Sequence, residues 1–220
     1  MSLELKKRII TSIFLITLVI LMLFYTYVLI LSLIVIGIIS WIEFYALISK
    51  IFKKKNYKDI SSRFLCKTIS LLYLSLLIYL IIYIKLSKPE MYVILIYAIS
   101  ISIMTDIGGL VIGKIFKGKK LTKISPQKTI SGSLGSFIFS IALIPIFIQY
   151  LPDYSILNIS LITLFISLTS QIGDIFISYL KRKAKVKNTS DLLPGHGGVL
   201  DRIDGIIFTI PVIFLIFNIF

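Results

Sequence analysis

The stretch IITSIFLITLVILMLFYTYVLILSLIVIGIISWIEFYALI, from Ile9 to Ile48, decides the fold. It is about twice the ~20 residues that one helix needs to cross a bilayer. Its most polar short run is Tyr25, Thr26 and Tyr27, so the chain is expected to fold back there into two spans. Apolar blocks follow at Thr68–Ile84, Met91–Gly113, Ser133–Leu151, Ile156–Leu180 and Gly205–Phe220. None of them alternates at period two, as a barrel strand would. Backbone groups in lipid must be satisfied within their own segment, so each block reads as a helix. The expectation is an all-α polytopic integral membrane protein, one domain over residues 1–220, with about seven transmembrane helices.

Composition agrees. Hydrophobic residues make up 57% of the chain and charged residues 15%, against about 45–50% apolar for soluble domains. The net charge of +14 does not imply nucleic acid, because the cations lie between apolar blocks and no soluble basic domain remains to carry binding. All but two of the 24 basic residues fall at the N-terminus and in the second, fourth and sixth loops. The exceptions are Lys85 and Lys88. The positive-inside rule then gives a cytoplasmic N-terminus and an odd number of spans, and a multi-pass protein of the cell inner, cytoplasmic membrane. The basic start from Met1 to Arg8 runs into an apolar block with no small-residue cleavage site, which reads as a retained first span. With one cysteine and one histidine, Cys66 and His196, the chain builds neither a disulfide framework nor a Cys/His zinc site.

Three acids lie inside apolar blocks: Glu43, Asp106 and Asp174. A charge at the centre of a span costs about 2.5–3.5 kcal/mol on insertion scales, which makes each a functional candidate. Gln171, Asp174, Ser178, Lys181 and Arg182 recur at helical spacing and share one stripe. Asp174 lies roughly 10 Å along the axis from Lys181, at 1.5 Å per residue. A carboxylate in the membrane with cations at its surface suits a lipid head group that bears phosphate. The bland alternative is a buried helix face ended by cations.

Beyond that stripe comes PGHGGVLDRIDG, Pro194 to Gly205. Gly195, Gly197 and Gly198 are expected to leave N–H groups open to an anion. Asp201 and Asp204 then stand three apart on one helical face. Carboxylates beside glycines and cations point to Mg²⁺ with a polyphosphate, since Mg²⁺ takes few protein ligands and completes its shell with phosphate and water. Alone, the acids would read as helix N-terminal charges. The fourth loop, Gly113 to Thr129, offers Lys128 with Ser125 and Thr129 for phosphate. Gly109 and Gly113 are spaced for close helix approach.

These motifs resemble the phosphatidate cytidylyltransferases, the CDP-diacylglycerol synthases. The segment SYLKRKAKVKNTSDLLPGHGGVLDRID, Ser178 to Asp204, matches the family's signature at Ser178, Lys181, Arg182, Lys187, Pro194 to Gly198, Asp201, Arg202 and Asp204. Gln171, Gly173 and Asp174 match the element before it. Ser125, Pro126, Lys128 and Thr129 match a second motif, and Asp106, Gly108, Gly109 and Gly113 a third. The N-terminal basic-Ile-Thr pattern and Glu43-Phe44 are weaker echoes. Four positions depart from the pattern: Ser131 and Ile177 where Glu is expected, Asn188 where Asp is, and Ser190 where Gly is.

The resemblance implies cytidylyl transfer from CTP to phosphatidate in the bilayer, giving CDP-diacylglycerol and pyrophosphate for phospholipid biosynthesis. It implies metal binding by Asp174 and Asp201, with Mg²⁺ and room for a second cation. Lys181 and Arg182 join these two acids as the catalytic set. Ser125, Lys128, Thr129, Ser178, Lys187, Gly195, His196, Gly197, Gly198, Arg202, Asp204 and Asp106 become substrate-binding candidates. An ether lipid of the archaeol type would need the same site. An ion-coupled transporter accounts for the intramembrane acids but not for glycines and cations gathered in one loop. A diverged inactive homologue accounts for the four departures. The oligomeric state stays open, a homodimer included.

Overall fold

The computed structural model describes residues 3–54, 56–87, 89–122, 124–152 and 154–219. The loop cations Lys55, Lys88 and Lys123 lie outside the described residues, as does Phe220 at the end of the seventh expected helix. Nine α-helices are described: α1 Leu3–Phe24, α2 Thr26–Ile51, α3 Tyr57–Leu86, α4 Pro89–Phe116, α5 Ile130–Ile141, α6 Ile144–Phe147, α7 Ile156–Lys183, α8 Leu200–Ile203 and α9 Ile206–Ile219. Among the described residues there is no β-strand, only two isolated bridges, Lys120 with Thr129 and Leu193 with Gly197.

Six segments are long and apolar enough to cross a membrane, and the shorter apolar helix Ile206–Phe217 follows them. This is a multi-pass membrane protein, with apolar blocks where hydropathy places them. The first two spans part at Tyr25 alone, which takes an extended conformation of φ −113 and ψ 109 between two helices. The fifth block is less regular than its hydropathy implies. It splits into α5, α6 and a 3-10 turn at Ile148–Tyr150, because Pro145 in the first turn of α6 has no N–H to continue the ladder. Pro211 lies inside α9, which runs on past it with one N–H fewer in its ladder. Apolar side chains such as Ile13, Phe14, Leu31, Leu72 and Leu161 face outward on these helices, where acyl chains rather than water are the solvent.

The chain divides into two compact units. One comprises Met1–Ile82 and Leu180–Ile203, the other Tyr83–Tyr179 and Asp204–Phe220. In the first, Gly37 of α2 lets α3 approach, since a Cβ there would lie 2.5 Å from Ile78 Cδ1. The turn into α3 is tied by Arg63 Nη2, which donates to the carbonyls of Phe52 at 2.7 Å and Lys54 at 3.3 Å. Asn56 Oδ1 accepts the N–H of Asp59 at 3.1 Å and so caps α3. Lys67 Nζ stands 3.1 Å from the centre of the Tyr45 ring.

In the second unit α4 and α5 are the close pair. A Cβ on Gly108 would collide with the carbonyl of Gly135, and one on Gly135 with the side chain of Ile112. The spacing of Gly109 and Gly113 is used as expected, against Ser136 and Gly132, but Gly108 makes the tightest approach. Hydroxyls join these helices to α7. Thr105 Oγ1 lies 2.9 Å from Ser140 Oγ and 2.8 Å from Ser167 Oγ, all buried. In lipid such bonds contribute roughly 0.6–2 kcal/mol each. An apolar cluster of Ile94, Tyr97, Ala98, Ile101, Leu143, Ile159 and Ile166 completes this core.

Candidate active site

The candidate residues form two centres, one in each unit. In the unit Tyr83–Tyr179 with Asp204–Phe220, the fourth loop is closed like a hairpin. Leu121 N donates to Lys128 O at 2.7 Å and Ile130 N to Lys119 O at 3.0 Å. Ser125-Pro126-Gln127-Lys128 is a turn in which Lys128 N donates to Ser125 O at 3.0 Å, with Pro at the position that favours it. The turn delivers Lys128 to Asp174, and Nζ pairs with Oδ2. Ser178 Oγ donates to Asp174 Oδ1 at 3.3 Å, and one turn back Ser133 Oγ donates to Gln171 Oε1 at 2.6 Å. Two motifs that look separate in sequence thus meet at one carboxylate.

Other members of this set have local roles. Thr129 caps α5 through the N–H of Gly132 at 3.0 Å. Ser131 donates to the carbonyl of Lys117, so this departure from Glu serves the loop. Asp106 lies on an exposed face of α4. Asp204 is 7% exposed and accepts the N–H of Gly205 at 3.0 Å. Ile177, a second departure from Glu, is 1% exposed and packs as a core side chain.

The other centre lies in the unit Met1–Ile82 with Leu180–Ile203. Lys181 Nζ donates to Asp201 Oδ1 at 2.6 Å. Asp201 Oδ2 accepts from Thr189 N at 2.8 Å, Thr189 Oγ1 at 3.0 Å and Gly198 N at 3.1 Å. Burial by itself pushes the Asp201 carboxyl up. The hydrogen bond and charge of Lys181, with the N–H groups of Thr189 and Gly198, outweigh it and hold the group below its ordinary value of 3.8.

Here the glycine turn corrects one expectation. The N–H of Gly197 donates to Leu193 O at 3.1 Å and that of Gly198 to Asp201, so neither is offered to an anion. These glycines serve other needs. Gly195 and Gly197 sit at φ +77 and +86, where side-chain-bearing residues are strained. A Cβ on Gly198 would fall 2.5 and 2.7 Å from the two oxygens of Glu43. His196 is likewise tied into the fold. Its carbonyl accepts from Arg202 Nε at 3.1 Å and from Nη2, and its Nε2 lies 3.3 Å from Ser12 Oγ. Thr11 Oγ1 donates to Pro194 O at 3.1 Å, which gives the N-terminal Ile-Thr echo a purpose. Arg182, Lys185 and Lys187 are exposed around this centre.

Whether these acids suit a metal depends on free lone pairs. Among the described residues no group of three or more His, Cys, Asp or Glu stands ready for an ion. Asp174, 25% exposed, carries two partners, and a carboxylate has about four acceptor positions. It fits a hard divalent cation. The Asp201 side chain, 7% exposed, is crowded at Oδ2, whereas Oδ1 carries only Lys181, so a cation there would share Oδ1 with the ammonium or displace it. Each carboxylate already bears a lysine ammonium, a cation that the chain itself provides.

Glu43, the first of the three acids within apolar blocks, is buried and fully bonded. Oε1 accepts from Ser190 Oγ at 2.6 Å and Val199 N at 3.0 Å, and Oε2 from Thr189 Oγ1 at 2.7 Å and Leu200 N at 2.8 Å. The usable signal is a carboxylate in an apolar helix, which must find donors when buried. Nothing local to Glu43 names them.

Comparison with known proteins agrees with these motifs. The phosphatidate cytidylyltransferase of Rickettsia conorii is 36% identical over 156 residues, 67% of this chain and 67% of that protein. That of Rickettsia felis is 45% identical over 113 residues, 47% of this chain and 49% of its own length. That of Bacillus subtilis is 39% identical over 127 residues, 56% of this chain and 47% of its own. The chain thus spans about half the length of two of these relatives and two thirds of the other. The model of the cytidylyltransferase family matches residues 4–220, nearly the whole sequence, and the chain belongs to that family.

Proposed function

We propose that this membrane protein is a phosphatidate cytidylyltransferase, which makes CDP-diacylglycerol from CTP and phosphatidate. The observation that carries the reading is the pairing of two family motifs at Asp174, through Lys128 and Ser178, in a chain whose relatives bear that name. A phosphate oxygen of phosphatidate attacks the α-phosphorus of CTP. The bond from that phosphorus to the β-phosphate bridge breaks, and pyrophosphate leaves with the bond's electrons. Such a reaction needs positioning and charge neutralisation rather than a covalent intermediate.

Lys128 and Lys181 hold phosphate oxygens once released from their carboxylates. Arg182 and Arg202 add guanidinium contacts, which bind phosphate in bidentate fashion, and Lys187 adds a point charge. Ser125 and Ser178 orient the groups beside them. Bound Mg²⁺ would offset charge on the polyphosphate; Asp174 in its own unit, and Asp201 in the other once Lys181 lets go, are the carboxylates that would take a divalent ion. With a cytoplasmic N-terminus in the inner membrane, the basic loops meet CTP in the cytoplasm while phosphatidate stays in the leaflet.

The test is pyrophosphate release by the purified protein with CTP and phosphatidate in mixed micelles, with and without Mg²⁺. Wild type is expected to turn over only with all three present. Asp174→Asn is expected to lower kcat by more than about a hundredfold while inserting normally. Turnover by wild type that ignores phosphatidate, or full activity in Asp174→Asn, would overturn the reading.

A further inference from the structure

The carboxylate of Glu43 closes a loop that belongs to a distant part of the chain. Its four donors come in two pairs, Thr189 and Ser190 at one end and Val199 and Leu200 at the other. Between them runs the segment with Pro194, Gly195 and His196. Glu43 is 4% exposed, and its donors are two hydroxyls and two backbone N–H groups. The two N–H groups belong to the entry of α8, where a helix leaves its donors without intrahelical partners. Glu43 supplies the acceptors from α2.

The same contacts set up the second centre. Thr189 donates its N–H to Asp201 at 2.8 Å while its hydroxyl reaches Glu43 at 2.7 Å. Gly198, whose N–H also reaches Asp201, is pressed against both Glu43 oxygens. Holding Thr189 and Gly198 therefore holds both backbone N–H bonds on Asp201, while the single proton of the Thr189 hydroxyl is shared between the two carboxylates. Ser190 adds a bond from its hydroxyl, which a glycine at that position would lack.

We propose that Glu43 is a positioning residue. It clamps the loop 189–200 and so sets the geometry of Asp201 and Lys181 for nucleotide phosphate, with the Ser190 hydroxyl as a reinforcement. This rests on the phosphatidate cytidylyltransferase reading for the identity of the substrate, but the clamp itself can be read without substrate. Glutamine is an incomplete replacement, because its NH₂ must face the N–H of Val199 or Leu200.

The experiment is hydrogen–deuterium exchange on the full-length protein in detergent, without ligand, together with steady-state kinetics for CTP. Glu43→Ala, Glu43→Gln and Ser190→Gly are compared with wild type. Exchange of the peptide that contains Val199 and Leu200 is expected to quicken about tenfold or more in Glu43→Ala and about threefold in Ser190→Gly, with Glu43→Gln between them. The KM for CTP is expected to rise in the same order. A purely structural glutamate would lower the yield of folded enzyme and leave the KM of the remainder unchanged. Unchanged exchange at 199–200, or an unchanged KM with lost protection, overturns the proposal. If Glu43→Ala does not fold, Ser190→Gly and Glu43→Gln decide by the same two criteria. Failure of wild type to use CTP with phosphatidate would refute the substrate assignment alone, leaving the exchange result to judge the clamp.

Discussion

Asp201 accepts from Lys181 Nζ and two backbone N–H groups, and shares the Thr189 hydroxyl with Glu43, while its side chain is 7% exposed. Because its folded value lies below the ordinary 3.8, the stability it contributes is present above that value. It is lost as pH falls through the lowered one. Asp201→Asn, melted in the presence of a chelator, is therefore expected to lower Tm equally at about pH 8 and about pH 6. The gap to wild type should close only below about pH 4; a gap that closes between pH 8 and pH 6 would contradict this account. The importance of Asp201 is legible in its place beside Arg202 in the signature. Its partners are not, because Lys181 and Thr189 reach it only when the loop turns back. For the same reason Gly197 and Gly198 read in sequence as an anion cradle, whereas their N–H groups are satisfied within the loop.

At the scale of elements, helix ends and helix pairs follow local rules closely enough to be altered by design. α7 ends with Val186 N donating to Lys181 O at 3.0 Å and Lys185 N to Arg182 O at 3.0 Å, with Lys185 left-handed at φ 57. That is a Schellman end, in which glycine is the favoured residue. Lys185→Gly is expected to stabilise the protein by about 1 kcal/mol, read as a higher Tm. Between α4 and α5 the reverse holds. Gly135→Ala places a methyl against Ile112 and 2.7 Å from Gly108 O, and is expected to cost about 1–3 kcal/mol of stability. A Tm equal to wild type would show that the pair can part without loss. The small residues of α4 advertise this contact in the sequence, as does the break at Tyr25, where polarity rises between two apolar runs. The fracture at Pro145 is read only by giving proline more weight than hydropathy.

For the whole molecule, the distribution of basic loops makes the testable statement. In a Cys66→Ser background, cysteines placed at Lys120 and Lys187, both exposed, should react with an impermeant maleimide from the cytoplasmic side. One at Pro152, also exposed, should react from the other side. Labelling of all three from one face would break the alternation that positive charge predicts. Hydropathy made the spans legible because lipid acts on each helix separately. It is silent about which polar groups find each other, since the bond from Glu43 to Leu200 joins residues 157 apart.

That separation has a consequence for how the protein is made. Glu43 enters the membrane region with the second span, long before its donors exist. At roughly 5–20 residues per second, synthesis needs ~8–30 s more to deliver Thr189 through Leu200. During that interval the young chain carries a carboxylate among apolar neighbours with its eventual donors unmade. Water, head groups or insertion factors must shelter it until the late loop arrives. A ribosome stalled before Thr189 would leave an early half whose own spans are present but whose acid is unanswered, a ready mark for membrane quality control.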